Sequence, residues 1–191
     1  MDKIVLATSN PHKLEEINAI ANLQGVYFEA VPKVFDPVED GKTFEENAYI
    51  KAFEAAKLTN KIALADDTGL CVEALNGRPG IYSARYAKTQ DEKISKLLKE
   101  LDGLPIEKRS AYFVCAMVLV DPNGKILHSS KGKIDGYIDL EAKGVKGFGY
   151  DPIFFIPAQN RTMAELTENE KNTISHRALA LKDMLAAIKK I

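Results

Sequence analysis

Short apolar runs alternate with amphipathic stretches along this chain, and this alternation predicts a sheet flanked by helices. The apolar runs at 3–7 and 62–65 both end in small polar residues, which is typical of buried strands whose carboxyl ends lead into turns. Residues 25–31 alternate like another strand. Residues 109–120 are apolar on both faces, so we expect a central strand there, with a turn at 121–124 and a hairpin partner over 125–133.

Apolar residues at helical spacing predict four helices. The first begins at Pro11 with Asn10 as its N-cap, and the second follows the Thr43–Glu46 capping box and ends near residue 58. The third covers 91–101, and a long fourth helix lies within 165–190, after a cap at 167–170. The apolar stripe of the fourth helix consists of Ile174, Ala178, Leu181, Leu185 and Ile188. We therefore expect an α/β fold with a central sheet that begins parallel, becomes mixed and is flanked by helices.

Composition narrows the function classes without choosing among enzymes. The 191 residues are 46% apolar, and 26 basic residues nearly balance 27 acidic ones, so charge gives no reason to expect a nucleic acid polymer or a membrane surface as partner. No apolar run approaches the roughly 18 residues of a membrane span. The two cysteines, Cys71 and Cys115, lack metal-site spacing and are expected to be reduced and buried. We expect one cytoplasmic domain over 1–191.

Two adjacent carboxylates end the apolar run at 62–65. Asp66 and Asp67 are followed by Thr68 and Gly69, so we expect them at a strand end, the edge where α/β sheets bind ligands. Two carboxylates there require a cation, a basic partner or water. Asp is also a common turn residue, so a solvated turn is the alternative interpretation.

The first strand leads into its helix through TSNPHK at 8–13. A helix N-terminus offers unpaired N–H groups and partial positive charge, which suit phosphate, and Lys13 could add a full charge. The spacing is not that of a P-loop. A solvated surface lysine is the alternative interpretation of Lys13.

Three further groups of polar or aromatic residues bear on function, and the first two have two interpretations each. In KGVKGFGYDPIFF at 143–155, glycines surround Phe148 and Tyr150, which either stack on a flat ligand such as a base or belong to the core. The cations near the start of the last helix gain nothing from the helix dipole, so they either bind a ligand or lie on the surface. The polar stripe of the second helix is expected to be its solvent face. The cations are Lys171, His176 and Arg177, and the stripe is Asn47, Lys51 and Glu54.

Six segments together resemble one family, the inosine/xanthosine triphosphate pyrophosphatases. They are TSNPHK (8–13), DDTGL (66–70), GRPGIYSARYA (77–87), GFGYDPIFF (147–155), ELT (165–167) and EKNTISHRALAL (170–181). The resemblance implies an α/β fold with a central mixed sheet flanked by helices, two lobes and a cleft between them, assembled as a homodimer. It implies Mg²⁺-dependent hydrolysis of deaminated purine nucleoside triphosphates (ITP, dITP, XTP) to the monophosphate and pyrophosphate.

The resemblance also implies a role for each matching residue. Asp67 would be the general base, and the metal ligands would be Glu39, Asp66 and Asp67. The triphosphate would lie on the first loop, Thr8, Ser9, Asn10, Pro11, His12 and Lys13, helped by Lys51, with Thr68 beside the substrate. Base and sugar would be bound by Phe148, Gly149, Tyr150, Asp151, Lys171, His176 and Arg177. The chain departs from many relatives at Ser9, Pro11 and Thr68, which could change substrate affinity.

Elementary chemistry agrees with these implied roles. Phosphoryl transfer needs a cation that neutralises developing charge, and a positioned water. Carboxylate oxygens suit Mg²⁺, and hydrogen-bond donors facing the purine 6-position would donate to a keto oxygen but oppose the amino group of adenine. A pyrophosphatase for pyrimidine or modified nucleotides and a nucleotide-binding module without chemistry are the alternatives. The SHR at 175–177 and GFGYD at 147–151 argue against the first, and the intact acidic pair against the second.

Overall fold

A computed structural model describes residues 4–32 and 35–191. Lys3 of the first predicted strand and residues 33–34 of the connection at 31–42 lie outside the described residues. The strands are β1 (Ile4–Leu6), β2 (Phe28–Ala30), β3 (Ala63–Val72), β4 (Ser110–Val120), β5 (Ile126–Ile138), β6 (Phe154–Ile156) and β7 (Arg161–Thr162). The α-helices are α1 (Pro11–Asn22), α2 (Phe44–Thr59), α3 (Gln90–Glu100), α4 (Glu168–Ile174) and α5 (His176–Ile188).

The described strands form one mixed sheet, as predicted. Its order is β2-β1-β3-β4-β5-β6-β7. β1 is parallel to β2 and β3, whereas β5, β6 and β7 are antiparallel neighbours. The α/β prediction is confirmed. Within the described ranges, no helix combines the length and apolar character that a membrane crossing requires.

The chain divides into two compact units. Unit 1 consists of residues 1–68, 115–132 and 176–191, and unit 2 of 69–114 and 133–175. The expectations of a single domain and of a cleft between two lobes stay predictions.

Unit 1 has two apolar clusters, separated by the alternation of side chains along its strands. One cluster joins Leu6 and Leu64 to α1 and α5, and the other joins Ala63 and Ala65 to α2. Alanines line the inward face of α2, so this helix lies close to the sheet. The alternation continues past Ala65, and it sends Asp66 and Asp67 toward different helices.

Unit 2 has its own core, in which α3 packs on residues of β3, β4 and β6. Its fully buried members include Leu70, Leu97, Leu101 and Phe154. Tyr150 is also part of this cluster, with only 4% of its surface exposed.

Two sequence-based expectations about these elements are wrong. The third strand does not end at the acidic pair: β3 continues to Val72, while its parallel neighbour β1 ends at Leu6. On the other side of β3 in the sheet order is the eleven-residue β4, so β3 can stay extended where β1 has ended. The acidic pair therefore lies within a strand, along the flank that β1 leaves open.

The last predicted helix is two helices. α4 ends at Ile174, Ser175 is extended with φ −67° and ψ 155°, and α5 begins at His176. The Thr167–Glu170 capping box is confirmed. The apolar stripe hides the break because Ile174 packs against the unit 2 core, whereas Leu181 and the later members belong to unit 1. The hairpin strand β5 also extends beyond its predicted end, to Ile138.

Candidate active site

The first loop is ordered by its own side chains. The Asn10 Oδ1 accepts hydrogen bonds from the backbone N–H groups of His12 (3.0 Å) and Lys13 (3.4 Å), and the Asn10 N–H donates to Thr8 Oγ1 at 3.2 Å. Pro11 occupies the first turn of α1, where its missing N–H costs nothing. Because of this cap, only four residues separate the end of β1 from the start of α1, and Lys13 lies beside β3, in contact with Asp66.

Four side chains converge on one oxygen of Asp66. Lys13 Nζ and Thr68 Oγ1 both lie 2.8 Å from Asp66 Oδ2, the Cys115 Sγ at 3.9 Å and the Arg177 Nε at 3.8 Å. Burial alone would raise the pKa of Asp66, but Lys13 and Arg177 outweigh burial and hold this pKa well below its ordinary value. The other oxygen, Oδ1, is buried and has no hydrogen-bond partner among the described residues.

Arg177 is a fully buried cation between two carboxylates. Its Nη1 forms an ion pair with Glu16 of α1, and its Nε faces Asp66. Burial disfavours its charge, but the two carboxylates raise its pKa above the ordinary arginine value. The ion pair with Glu16 fixes the first turn of α5 to α1.

Asp67 points to α2 and has a different set of partners. Its Oδ1 lies 3.2 Å from Lys51 Nζ, and its Oδ2 accepts a hydrogen bond from Asn47 Nδ2 at 3.3 Å. The same Lys51 Nζ is 3.2 Å from Glu39 Oε2. Burial raises the pKa of Asp67, and the carboxylates of Glu39 and Asp66 raise it further, against the lowering effect of Lys51 and Lys13. Lys51 in turn keeps its charge despite burial, with a raised pKa, because it faces all three carboxylates.

The acidic groups are not preassembled as a metal cage. Within residues 4–32 and 35–191, no three His, Cys, Asp or Glu side chains are arranged to hold a metal ion. The Lys51 ammonium instead contacts both Glu39 and Asp67. The donor set is nevertheless that of a hard cation, all carboxylate, and the unpartnered Oδ1 of Asp66 is a buried acceptor available to it. The metal assignment of Glu39, Asp66 and Asp67 stays a prediction.

A second group of predicted residues lies in unit 2. Asp151 Oδ2 accepts hydrogen bonds from the Phe148 N–H at 2.9 Å and from Lys171 Nζ at 2.8 Å. The Lys171 ammonium also lies 4.8 Å from the centre of the Phe148 ring, within cation–π range. The Gly149 N–H donates to Gln90 Oε1 at 2.9 Å, and the glycine has a φ of +65°. The loop over 148–151 is therefore held in place by hydrogen bonds at several of its residues.

Tyr150 resolves one of the open alternatives. It is buried in the unit 2 core, its hydroxyl donates to the Ser83 carbonyl at 3.0 Å, and burial raises its pKa. Tyr150 anchors the loop over 148–151 in the unit 2 core, whereas Phe148 is half-buried and its ring lies against the Lys171 ammonium. The assignment of Tyr150 as a substrate-binding residue stays a prediction.

The structure separates the predicted residues into two groups. Unit 1 holds the first loop, the acidic pair and their partners, and unit 2 holds the aromatic loop and its lysine. The unit 1 group is Thr8 to Lys13, Glu39, Lys51, Asp66, Asp67, Thr68, His176 and Arg177, and the unit 2 group is Phe148 to Asp151 and Lys171. Exposed Ser9, Pro11 and His12 lie at the N-terminus of α1.

Several surface interpretations are wrong. Lys13 has 15% of its side chain exposed and pairs with Asp66. His176 and Lys171 are buried, at 3% and 6% exposure. The stripe on α2 is not a solvent face, because Lys51 is buried too; only Glu54 is exposed as expected. The reduced, buried cysteines are confirmed.

Sequence reasoning missed three side chains of the unit 1 group. Asn47 bonds to Asp67, Glu16 pairs with Arg177, and Cys115 contacts Asp66. Asn47 is one helical turn before Lys51, and Glu16 is one turn after Lys13, so helical spacing from a proposed site residue is the signal that could have found both. Cys115 follows the apolar pattern of β4 and gave no such signal.

Comparisons with known proteins agree with this geometry. A sequence model of the Ham1 family matches residues 4–187. The dITP/XTP pyrophosphatase of Leuconostoc mesenteroides subsp. mesenteroides is 46% identical over 190 residues, covering 95% of this chain and 94% of that protein. The dITP/XTP pyrophosphatase of Bacillus subtilis is 45% identical over 190 residues and covers 96% of each.

Solved structures give the same result. A HAM1 protein from Coxiella burnetii superposes with a TM-score of 0.89 at 42% identity, covering 100% of both chains. The Ham1 protein of Staphylococcus aureus gives 0.87 at 40% identity over 99% of both. The resemblance inferred from the six segments is confirmed, and this chain belongs to the Ham1 family.

Proposed function

We propose that this protein hydrolyses deaminated purine nucleoside triphosphates (dITP, ITP and XTP) to the monophosphate and pyrophosphate. The observation that carries the proposal is the adjacent pair Asp66 and Asp67, buried on β3 with Lys13 and Lys51 against them. The name dITP/XTP pyrophosphatase, borne by relatives over nearly the full length, supports this substrate class.

The first loop is the proposed triphosphate site. α1 begins beside the acidic pair, and its N-terminal N–H groups and partial positive charge favour an anion. Lys13, at the third position of the helix, adds a full positive charge close to Asp66. Thr68, half-buried beside the same carboxylate, would then face the substrate.

We propose Mg²⁺ as the cofactor, held by Asp66, Asp67 and Glu39. The three carboxylates outnumber the lysine they share, and among the residues that the structure describes the buried Asp66 Oδ1 has no hydrogen-bond partner. When bound, the ion neutralises charge on phosphate oxygens and makes a bound water more acidic. Lys51 is the cation that balances these carboxylates, which raise its pKa despite its burial.

Asp67 is the proposed general base. Its pKa is raised by burial and by neighbouring carboxylates, so it is more basic than an ordinary aspartate and better able to accept a proton from water. Asp66 suits the other role: its pKa is held low, so it remains an anion that orders Lys13 and Arg177. The two carboxylates thus divide between proton transfer and charge organisation.

Base and sugar recognition is proposed for the unit 2 loop together with His176 and Arg177. The Lys171–Asp151 pair and the ring of Phe148 offer a polar edge and a stacking face. Donors directed at a 6-keto oxygen would oppose the amino group of adenine, because a donor facing a donor leaves two polar groups unpaired.

We further propose a cytoplasmic homodimer, an expectation that rests on the resemblance. Light scattering at micromolar concentration tests the dimer, and a monomer would contradict it.

One experiment tests the reaction. Pyrophosphate release should be measured with dITP, ITP, XTP, dATP, dGTP, dTTP and UTP, with Mg²⁺ and with a chelator. We expect turnover of the first three only, lost on chelation. Turnover of dTTP or UTP would favour a pyrimidine or modified-nucleotide enzyme, and no release would favour a binding module.

Asp67→Asn tests the general base, with the exposed Glu54→Gln on α2 as control. We expect Asp67→Asn to lose at least about 10²-fold in kcat, the usual lower bound for a general base, with an unchanged circular dichroism spectrum. Retained activity would remove Asp67 from this role.

A further inference from the structure

Asn47 is a completely buried amide whose two ends bind different parts of unit 1. Its Oδ1 accepts a hydrogen bond from the backbone N–H of Gly41 at 2.9 Å, and its Nδ2 donates to Asp67 Oδ2 at 3.3 Å. The side chain has 0% exposure, so no bulk water can replace either bond. A buried amide with both ends bonded links the two groups rigidly.

The orientation of this amide follows from its partners. The Gly41 N–H can only donate, so the atom facing it must be the oxygen. The NH₂ group then faces Asp67, a carboxylate that only accepts. The opposite flip would place donor against donor and oxygen against carboxylate. Asn47 therefore has one arrangement, and an aspartate at this position could make only the first of the two bonds.

Gly41 is shaped for the same contact. A Cβ on this residue would lie 2.7 Å from Asn47 Oδ1 and 2.8 Å from the Glu46 Cβ, closer than side chains normally approach. The absence of a side chain lets the loop come within hydrogen-bond distance of α2. Two residues earlier, Glu39 reaches Lys51, one turn beyond Asn47 on the same helix. Asn47 and Lys51 thus both connect Asp67 to the loop over 39–41.

We propose that Asn47 is a positioning residue for the reaction, whose amide fixes the loop over 39–41 and Asp67 relative to each other. The inference rests on the proposed function, because it assumes that Glu39 and Asp67 act on substrate together. Asn47 does not touch the substrate in this proposal. It acts by holding the proposed general base and a proposed metal ligand in register, and loss of such support typically costs 10- to 100-fold in activity or metal affinity.

Two substitutions distinguish the contribution of the hydrogen bond to Gly41 from that of the hydrogen bond to Asp67. Asn47→Asp keeps an acceptor for the Gly41 N–H but removes the donor to Asp67, and Asn47→Ala removes both. We expect each to lower kcat by about 10- to 100-fold, the range seen when an outer partner of a site is lost, with little change in KM. Ser130→Ala is the matched control: its buried hydroxyl donates to the Ala180 carbonyl at 2.9 Å in the same unit, a hydrogen bond in which neither aspartate takes part.

Amide hydrogen exchange of Gly41 supplies a readout independent of activity. We expect protection in the wild type, in Asn47→Asp and in Ser130→Ala, and loss of protection in Asn47→Ala. Gly41→Ala, which acts from the loop side, should also lower kcat. Thermal midpoints measured in parallel identify losses that reflect stability alone, since Ser130→Ala should lose stability without losing kcat.

The outcomes are distinct. A lower kcat in both Asn47→Ala, which adds no charge, and Asn47→Asp, with Gly41 still protected in Asn47→Asp, supports the inference. Wild-type kcat in both Asn47 variants, in a protein that hydrolyses dITP or XTP, would overturn it and leave the proposed function standing. A wild-type protein without turnover on any nucleotide would overturn the proposed function, and this inference with it.

Discussion

Asp66 and Asp67 are consecutive residues of one strand, yet they lie in opposite electrostatic environments. Asp66 faces α1 and α5, where Lys13 and Arg177 keep its pKa low. Asp67 faces α2, where one lysine is shared with Glu39 and burial keeps its pKa high. The pleat of β3 alone separates them, because successive side chains point to opposite faces.

The balance of charge on each face, and not the residue type, therefore sets the direction in which each carboxylate's pKa is shifted. The face of Asp66 supplies two cations and a hydroxyl for two carboxylates, Asp66 and Glu16, so the charges balance and the anion is stabilised. The face of Asp67 supplies one cation for two carboxylates, so negative charge is in excess. A surplus of negative charge favours proton uptake and cation binding, and both are useful for hydrolysis.

Neutralising Asp66 should change stability more than any other substitution considered for this comparison. Asp66→Asn removes the carboxylate partner of Lys13 and a carboxylate that faces the buried Arg177, which keeps its ion pair with Glu16, and we expect a loss of about 3–5 kcal/mol in the free energy of unfolding at pH 7. Asp67→Asn removes an unfavourable charge, and we expect unchanged stability or a gain of about 1 kcal/mol. Urea unfolding of the two variants measures both values. Equal losses would show that the faces are equivalent.

The dependence of stability on pH distinguishes the same two carboxylates. Because the folded-state pKa of Asp66 lies below 3.8, its contribution to stability is present above pH 3.8 and is lost as pH falls through the folded pKa. The stability gap between wild type and Asp66→Asn should therefore narrow below pH 3.8.

The pKa of Asp67 is shifted in the opposite direction, so its effect on stability with pH is also opposite. Because its folded-state pKa lies above 3.8, any advantage of Asp67→Asn is complete above that raised pKa and shrinks as pH falls toward 3.8. Urea unfolding between pH 3 and pH 7 measures both gaps. Parallel pH profiles for the two variants would contradict the opposite shifts.

Two glycines of β5 test how α5 is placed against the face of Asp66. A Cβ at Gly132 would overlap the His176 carbonyl oxygen and lie 2.6 Å from the Ala180 nitrogen, whereas one at Gly136 would lie 2.8 Å from the Phe154 ring in unit 2. We expect either substitution to alanine to cost about 1–3 kcal/mol through overpacking. Only Gly132→Ala should also raise KM, because it displaces the turn that carries Arg177. Equal KM values in the two variants would contradict this.

The hydroxyl of Thr68 should contribute only modestly to the stability of the Asp66 face. Thr68→Val removes a 2.8 Å hydrogen bond to the Asp66 carboxylate, and we expect a loss of about 1.5 kcal/mol, the lower end for hydrogen bonds to charged groups, because Thr68 is half-buried. The control is Thr59→Val, which removes a bond to the neutral Ala55 carbonyl and should cost about 0.5–1 kcal/mol. Unfolding midpoints in urea at pH 7 measure both, and equal losses would argue against a special role for this hydroxyl.

Much of the fold was predictable because hydrophobic periodicity and caps are local signals. Asn10, Thr43 and Thr167 each cap the helix that the sequence assigns to them. The continuation of β3 past Asp66 and Asp67 was not predictable. In the sequence alone the acidic pair looks like the end of the strand, because the cations that compensate the two carboxylates come from α1, α2 and α5. The two cations closest to Asp66 are Lys13, more than fifty residues before it, and Arg177, more than a hundred residues after it.

The site was predictable to the level of residue types, and less so in its connections. The six segments identify the acidic pair, the first loop and the aromatic loop. They do not reveal that Asn47 is buried, because an amide on a polar stripe looks the same in sequence whether it faces water or a carboxylate. The break at Ser175 is similarly hidden, since its flanking apolar residues keep helical spacing while packing in different cores.

The thiol beside Asp66 has a practical consequence. Burial and the neighbouring carboxylate raise the pKa of Cys115 to about 12, and Cys71 is buried as well. Because alkylating reagents attack the thiolate, neither sulfur should react while the protein is folded. The rate of iodoacetamide labelling would then measure the rate at which each unit unfolds, without any engineered probe, because each unit contains one natural cysteine.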